Sequence, residues 1–458
     1  MEASQENKYQ VAVIGAGPAG LFASRMLALN GVHVTLINRD IRAGGLAEYG
    51  IYPDKLKMKE GLRKQFDQIL QMAEIEYLGH ITIGTKTGLS LRDLQAMGFQ
   101  AVLVTVGAQG TKWLGLPGED LQGVFHAKDL VYHYNSLPPF STEEYPIGRR
   151  VALVGVGNVM MDIAHWLVRE KKVDEVVAVA RRGPAEVKFS KKEMEIIARN
   201  LDMKKLDEEI ERVAPIMKAL DQDVRASKDF ILSAMPKALE PVSDTRFYFD
   251  FLVSPTRILG DASGRVCALE VEENTLVRRN GDTKARGLGT FRTLDVDTVI
   301  FAIGDRVDSD FGLPVQGSEF VKNLQPAYPV NDLSYEVFDP GAGKPIEGVF
   351  VAGWAREASS GLVGVARKDG ENGAHAILQY LQTKKPAVNL KLLAAALDSA
   401  LEKLEKPVVH YSDLKILEAI ESEEAARQGL EEFKLKTDEE MLAAMGLDKQ
   451  QTRVEAAV

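Results

Sequence analysis

The sequence predicts an α/β chain built from two dinucleotide-binding β-α-β units, the second inserted into the first. Three observations predict it. The stretch "VAVIGAGPAG" (11–20) runs from an apolar strand into a glycine turn and a helix. The stretch "VALVGVGNVMMDIA" (151–164) does the same again. Apolar strand-like runs ending near glycine, at 99–108, 296–305 and 348–354, suit chain crossings between two domains. With 458 residues the chain is long enough for more than one core.

In the first unit, Gly15, Ala16, Gly17 and Gly20 form a G-x-G-x-x-G turn. Gly15 permits the tight bend, Gly17 lets the backbone approach a pyrophosphate, and Gly20 allows close helix–strand packing. The helix start then offers free N–H groups and the positive dipole end to phosphate. The following strand, "HVTLIN", is β-branched and alternating. An Asp or Glu is expected at its end to hold a ribose, but Asn38 stands there. Asn38 can still accept a hydrogen bond from a ribose hydroxyl, without charge assistance. That predicts a weaker hold on the adenosine end, strengthened by Asn38→Glu.

In the second unit, Gly155 and Gly157 lead into Asn158 and Val159, and the third glycine is missing. Asn158 offers a side-chain donor toward a phosphate. Asp162 follows in the helix; it reads equally as an acid favoured by the helix dipole and as an active-site group. The second strand ends in Arg181-Arg182 where NAD sites carry an acid. Two guanidiniums there suit the 2′-phosphate of NADP.

The expected domains are 1–106 with 332–458, and 107–331. Within the insert, 190–230 reads as helical and 248–277 as a β-meander turning at "GDASGR". In the tail, Leu390, Leu393, Leu397, Leu401 and Leu404 form one apolar helical stripe, expected to pack on the body. The last residues, "QTRVEAAV", are expected to be disordered.

Composition excludes several function classes. The net charge of −10 argues against a general nucleic-acid binder. The single cysteine, Cys267, cannot form a CxxC pair, an Fe–S site or a structural zinc site. The seven histidines show no metal-ligand spacing, so no metal site is expected. No apolar run reaches the length of a membrane span, and the polar start "MEASQENKYQ" is unlike a signal peptide. A cytoplasmic protein is expected.

Several segments together resemble adrenodoxin reductase and its bacterial ferredoxin–NADP reductase relatives. They are "VIGAGPAGLFAS", "GGLAEYGIYPDKLKMK" (44–59), "VALVGVGNVMMDIA", "RRGPAEVKFSKKE" (181–193), "FLVSPTRILG" (251–260) and "GVFVAGWAREASSGLVG" (348–364). The resemblance implies two Rossmann-like, glutathione-reductase-type domains and a helical C-terminal tail. It implies FAD on the first unit, NADP(H) on the second, and a ferredoxin-type iron–sulfur partner. By residue, the Gly15 turn, Asn38, Gly45, Leu46 and Ile81 match the adenosine and ribityl side of the flavin pocket. Trp354, Gly361, Leu362 and Val363 match the ring side. Gly157, Asn158 and Val159 match the NADP pyrophosphate turn, Arg181 and Arg182 the 2′-phosphate pair, and Glu193 an acid at the adenosine end. Lys55 stands where the family usually has a histidine, a proposed partner of the acid matching Asp162; either Lys55 and Asp162 form an ion pair that takes over proton handling, or Lys55 is a surface residue. Glu195 stands where some members carry a partner-docking arginine.

Lys55, Lys57, Lys59, Arg63 and Lys64 form a basic stretch. It reads as a solvated helix start or as a landing site for an acidic ferredoxin. Two other functions compete with a free-standing reductase. One is a flavoprotein subunit like the glutamate synthase small subunit, whose N-terminal Cys clusters are absent here. The other is a nucleotide-binding regulator without turnover.

Overall fold

The computed structural model describes residues 9–386, 390–404 and 406–448. The expected disorder of 451–458 and the polar start up to residue 8 fall outside them. The chain divides into two compact units, 1–111 with 132–142 and 304–458, and 112–131 with 143–303.

The first unit opens with β1 (Gln10–Ile14), α1 (Pro18–Leu29) and β2 (His33–Ile37). The short α2 (Leu46–Tyr49) and the longer α3 (Leu56–Leu70) lead to β3 (Ile75–Leu78) and β4 (Ala101–Val104). The strands read as near-continuous apolar runs because both faces of a parallel sheet are covered. All five β1 residues are buried.

The second unit contains β5 (Val124–His126), β6 (Arg150–Val154), α4 (Asn158–His165) and β7 (Glu175–Ala180). The charged 190–230 segment is helical as expected, in α5 (Lys191–Glu195), α6 (Met203–Lys218) and α7 (Val224–Leu232). Then come β8 (Arg246–Phe251), β9 (Val253–Gly260), β10 (Val266–Arg279), β11 (Asp282–Leu294) and β12 (Thr298–Phe301). The parallel sheet has the order β5-β12-β6-β7-β8, and β9-β10-β11 is antiparallel. The expected meander therefore starts later than 248: "YFDF" belongs to β8, paired in parallel with β7. Leu252, at φ 53°, makes the break between the two sheets.

The chain then completes the first unit with β13 (Glu336–Asp339), β14 (Lys344–Val351), α8 (Val363–Leu381), α9 (Leu390–Glu402), α10 (Tyr411–Gln428) and α11 (Asp438–Ala444). Its six-stranded sheet has the order β13-β14-β4-β1-β2-β3. Residues 304–331 fall in this unit rather than in the insert. The reason is packing: Val307, Phe311, Leu313 and Phe320 are buried in one cluster with Ala12, Ile14 and Val102. The segment 132–142 also counts with the first unit.

The tail stripe packs on the body. Leu393, Leu397 and Leu401 are buried in that same cluster, and Leu404 lies against it. The Leu390 side chain lies outside the described residues. No helix among the described residues is long and apolar enough to cross a membrane, and none of their His, Cys, Asp and Glu side chains group as a metal site.

Candidate functional site

The first glycine turn is shaped by contacts that leave no room for side chains. A Cβ on Gly15 (φ 105°) would lie 2.6 Å from the Thr105 carbonyl oxygen, and one on Gly20 would lie 1.9 Å from the Gly15 oxygen. Thr105, which the sequence did not single out, donates its hydroxyl to the carbonyls of Ile14 (3.0 Å) and Gly15 (2.8 Å). A Cβ on Gly17 would meet nothing within 4 Å. The space before the turn is thus open where a pyrophosphate would lie against the start of α1. Gly45, at φ 51°, approaches from the other side: its Cβ would lie 3.0 Å from Gly17 Cα. Leu46 follows, half-buried, at the start of α2.

Asn38 does not point its amide outward as expected. It is buried, and its Oδ1 accepts from the Ala16 N–H at 3.0 Å. Its Nδ2 donates to the carbonyls of Asp40 (2.8 Å) and Arg42 (2.9 Å) and lies 3.3 Å from the Tyr77 hydroxyl. The amide stitches the glycine turn to loop 38–42, so the ribose role expected for Asn38 gives way to a bracing one. Ile81 is also turned inward: its side chain is in the core and its N–H donates to the Asn38 carbonyl at 2.9 Å. That leaves Ile81 only a backbone carbonyl for a ligand.

The segment matching the flavin-ring side is braced by a buried carboxylate. Asp369 of α8 accepts from the Gly353 N–H (2.6 Å), the Tyr335 hydroxyl (2.9 Å) and Arg356 Nε (3.0 Å). Gly353 has φ 65°, so this grip sets the turn immediately before Trp354. Trp354 is half-buried, and its indole N–H donates to the Ser360 carbonyl at 2.8 Å. Gly361 (φ 72°) and Leu362 are exposed, and Val363 opens α8. Sequence reasoning missed Asp369 and Arg356; their spacing of thirteen residues carries no local signal.

In the second unit, a Cβ on Gly155 (φ 134°) would lie 2.3 Å from the Ala302 carbonyl oxygen, whereas one on Gly157 would meet nothing within 4 Å. The second turn is therefore tight behind and open in front, like the first. Asn158 Oδ1 accepts from the Ser190 N–H (2.8 Å), and the Lys188 N–H donates to the Val156 carbonyl (2.9 Å). These bonds lay segment 188–190 along the turn. The Asn158 NH₂ group has no protein acceptor among the described residues, so it is available as a donor. Val159 is exposed. Asp162 lies beyond the first turn of α4, which removes the first-turn dipole reading.

Arg181 is exposed and Arg182 half-exposed directly after β7. Neither guanidinium has an ion pair among the described residues. Their backbone is held from behind: the Arg181 carbonyl accepts from Asn274 Nδ2 (3.1 Å), and the Arg182 carbonyl from the Leu252 N–H (3.2 Å). Asn274 is buried and was not foreseen. Glu193 lies in α5, whose N-cap Ser190 accepts from the Glu193 N–H at 3.4 Å.

The basic stretch before and within α3 does not form one patch. Lys59 is buried and donates to Asn135 Oδ1 at 2.9 Å. Burial pushes its ammonium down to about 8, with nearby Lys434 adding to the effect. Arg63 grips Glu48 through two bonds (Nε to Oε2, 2.7 Å) and also pairs with Glu432. These two leave the proposed docking surface; Lys57 and Lys64 stay exposed and Lys55 half-exposed. A periodic signal was available for Lys59, because Leu62 and Phe66 follow it at i+3 and i+7 on the inward face. Lys55 ends the short turn 53–55 in the first unit, while Asp162 belongs to the second.

Two glycine turns, each with open space before a helix start at the end of a parallel strand, define two dinucleotide-binding-type units. Residues 9–219 match the family model described as pyridine nucleotide-disulphide oxidoreductase; with one cysteine, this chain cannot form an internal redox disulphide. The chain is also similar to proteins described as adrenodoxin and ferredoxin reductases. It is 27% identical to the mitochondrial NADPH:adrenodoxin oxidoreductase of Arabidopsis thaliana over 95% of each chain. It is 26% identical to the NADPH-ferredoxin reductase FprA of Mycobacterium leprae, over 81% of this chain and 84% of that one. The solved structure of Mycobacterium tuberculosis FprA with NADPH has the same fold, with a TM-score of 0.77 at 23% identity, covering 96% of this chain and 99% of that one.

Proposed function

We infer that the protein is an FAD-dependent NADPH oxidoreductase that passes electrons between NADPH and a ferredoxin-type iron–sulfur carrier. The observation that carries the choice of NADPH is the Arg181–Arg182 pair, which has no ion pair among the described residues and follows the strand beside an open glycine turn. FAD is assigned to the first unit, whose turn is equally open and whose strand β2 carries no free cation pair at its end. When bound, the flavin supplies the exchange between two-electron hydride and one-electron transfer.

The chain's own residues do the rest. The first turns of α1 and α4 present backbone N–H groups to the two pyrophosphates. Asn158 adds a side-chain donor to the second. Asp369 and Arg356 hold the loop before Trp354 in one geometry, which places residues 361–363 at the start of α8. Asp162 and Lys55 are proposed as the proton-handling residues, on the strength of the family positions they match. Lys57 and Lys64 are the proposed docking cations. A cytoplasmic place of action is also part of the proposal.

The test is spectroscopic. The purified protein is expected to be yellow, and NADPH is expected to bleach it anaerobically faster than NADH. Arg182→Gln should raise the Kd for NADPH about ten- to a hundredfold and leave that for NADH within twofold, since a hydrogen bond to a charged group contributes about 1.5–3 kcal/mol. A colourless protein that takes up no FAD, or faster bleaching by NADH, would overturn the reading.

A further inference from the structure

A cavity of about 140 Å³ lies in the first unit, at the end of β2. A void of about 150 Å³ accepts a benzene-sized ring, so this one has room for a single heterocycle. Its polar rim is formed by Arg39, Asp40, Lys406 and Asp438, and Tyr49 and Met441 supply an apolar wall. This is where the first β-α-β unit of a dinucleotide site presents the acid that holds a ribose. The expected acid is missing at residue 38, and the Asn38 amide is committed inward. Those same amide bonds fix the backbone of Asp40, which also accepts from the His80 N–H at 3.3 Å.

We infer that Asp40 takes the place of the missing acid and holds the adenosine ribose of the flavin cofactor, in a pocket whose far wall is the C-terminal segment carrying Lys406 and Asp438. This rests on the assignment of FAD to the first unit. The C-terminal wall is tied down beside β3. Gly79 and Val409 exchange both backbone hydrogen bonds (2.7 and 3.1 Å), and His80 Nδ1 bonds the Pro407 carbonyl at 3.0 Å. Carboxylates only accept, and ribose hydroxyls donate, so Asp40 matches the sugar. The cavity takes the purine alone, against Tyr49 and Met441, and the ribose stays at its polar rim beside Asp40. Arg39, whose side chain is 44% exposed, pairs with the half-buried Asp40 at 2.9 Å and stays at the rim, and a pair with one partner so open to solvent contributes about 1 kcal/mol or less.

The experiment uses full-length apoprotein stripped of flavin and compares FAD with FMN, which lacks the adenosine half. Asp40→Asn is expected to weaken FAD binding about ten- to a hundredfold, with FMN affinity and the apoprotein melting temperature unchanged. Asp438→Asn should give a smaller loss, again confined to FAD. The inference fails if FAD affinity is unchanged in Asp40→Asn, or if FMN affinity or the melting temperature falls with it. A wild-type protein that binds neither flavin defeats the FAD assignment instead, so the two failures are distinguishable.

Discussion

At the scale of single residues, Asn38 shows how one atom's identity decides a role. Its Nδ2 donates to two carbonyls and its Oδ1 accepts from the glycine turn. Asn38→Asp keeps the shape but replaces the donor by an acceptor facing those carbonyls. Removing buried partners in this way costs about 1–3 kcal/mol for each group left unsatisfied. Asn38→Asp and Asn38→Glu are therefore expected to speed FAD release and lower the apoprotein melting temperature, the reverse of what the bare sequence implied for glutamate. Slower FAD release in Asn38→Glu, followed by flavin fluorescence, would restore the outward-facing role. Thr105 and Asn274 brace in the same indirect way, each holding backbone at a proposed ligand site.

At the scale of elements, α3 divides the basic stretch of its sequence between a buried face and an exposed one. Its inward face, through Lys59 and Arg63, meets a buried charged cluster with Glu48, Glu432 and Lys434. Burial works to raise the Glu48 carboxyl, but Lys434 and Arg63 together hold it well below the ordinary range. Because its folded value is depressed, its stabilisation is full above the ordinary glutamate value of about 4.3 and is lost as pH falls below it. Glu48→Gln should destabilise the protein by about 3–5 kcal/mol at pH 7, as expected for breaking a buried pair. The gap to wild type should narrow on acidification, read as thermal midpoints at pH 7 and pH 4; a gap that widens contradicts the assignment. The outward face carries Lys57 and Lys64, seven residues apart and so on one side of the helix. Reversing both to Glu should raise KM for ferredoxin at low salt and flatten its salt dependence. Reduction of ferricyanide by NADPH should be unaffected. Ferredoxin kinetics that do not change at low ionic strength would remove the docking role.

At the scale of the whole molecule, what could be read in advance was what the chain writes locally. Both glycine turns, the Arg181–Arg182 pair and the tail stripe are strand–turn–helix or helical patterns within twenty residues. What could not be read depends on distant partners. Lys59 is buried by Asn135, Asp369 meets Gly353 and Tyr335, and residues 304–331 leave the insert because their apolar side chains find the first unit's core. The same division has a consequence for synthesis. In the first unit's sheet, β4 pairs with β14, which leaves the ribosome roughly 250 residues later, or about 10–50 s at 5–20 residues per second. The insert, whose residues 143–303 are contiguous, can close in that interval. The older half-sheet waits with an open apolar edge, the kind of surface to which chaperones bind. A chain stopped anywhere before residue 351 would keep that edge permanently, and nascent chains arrested there should be the ones that aggregate.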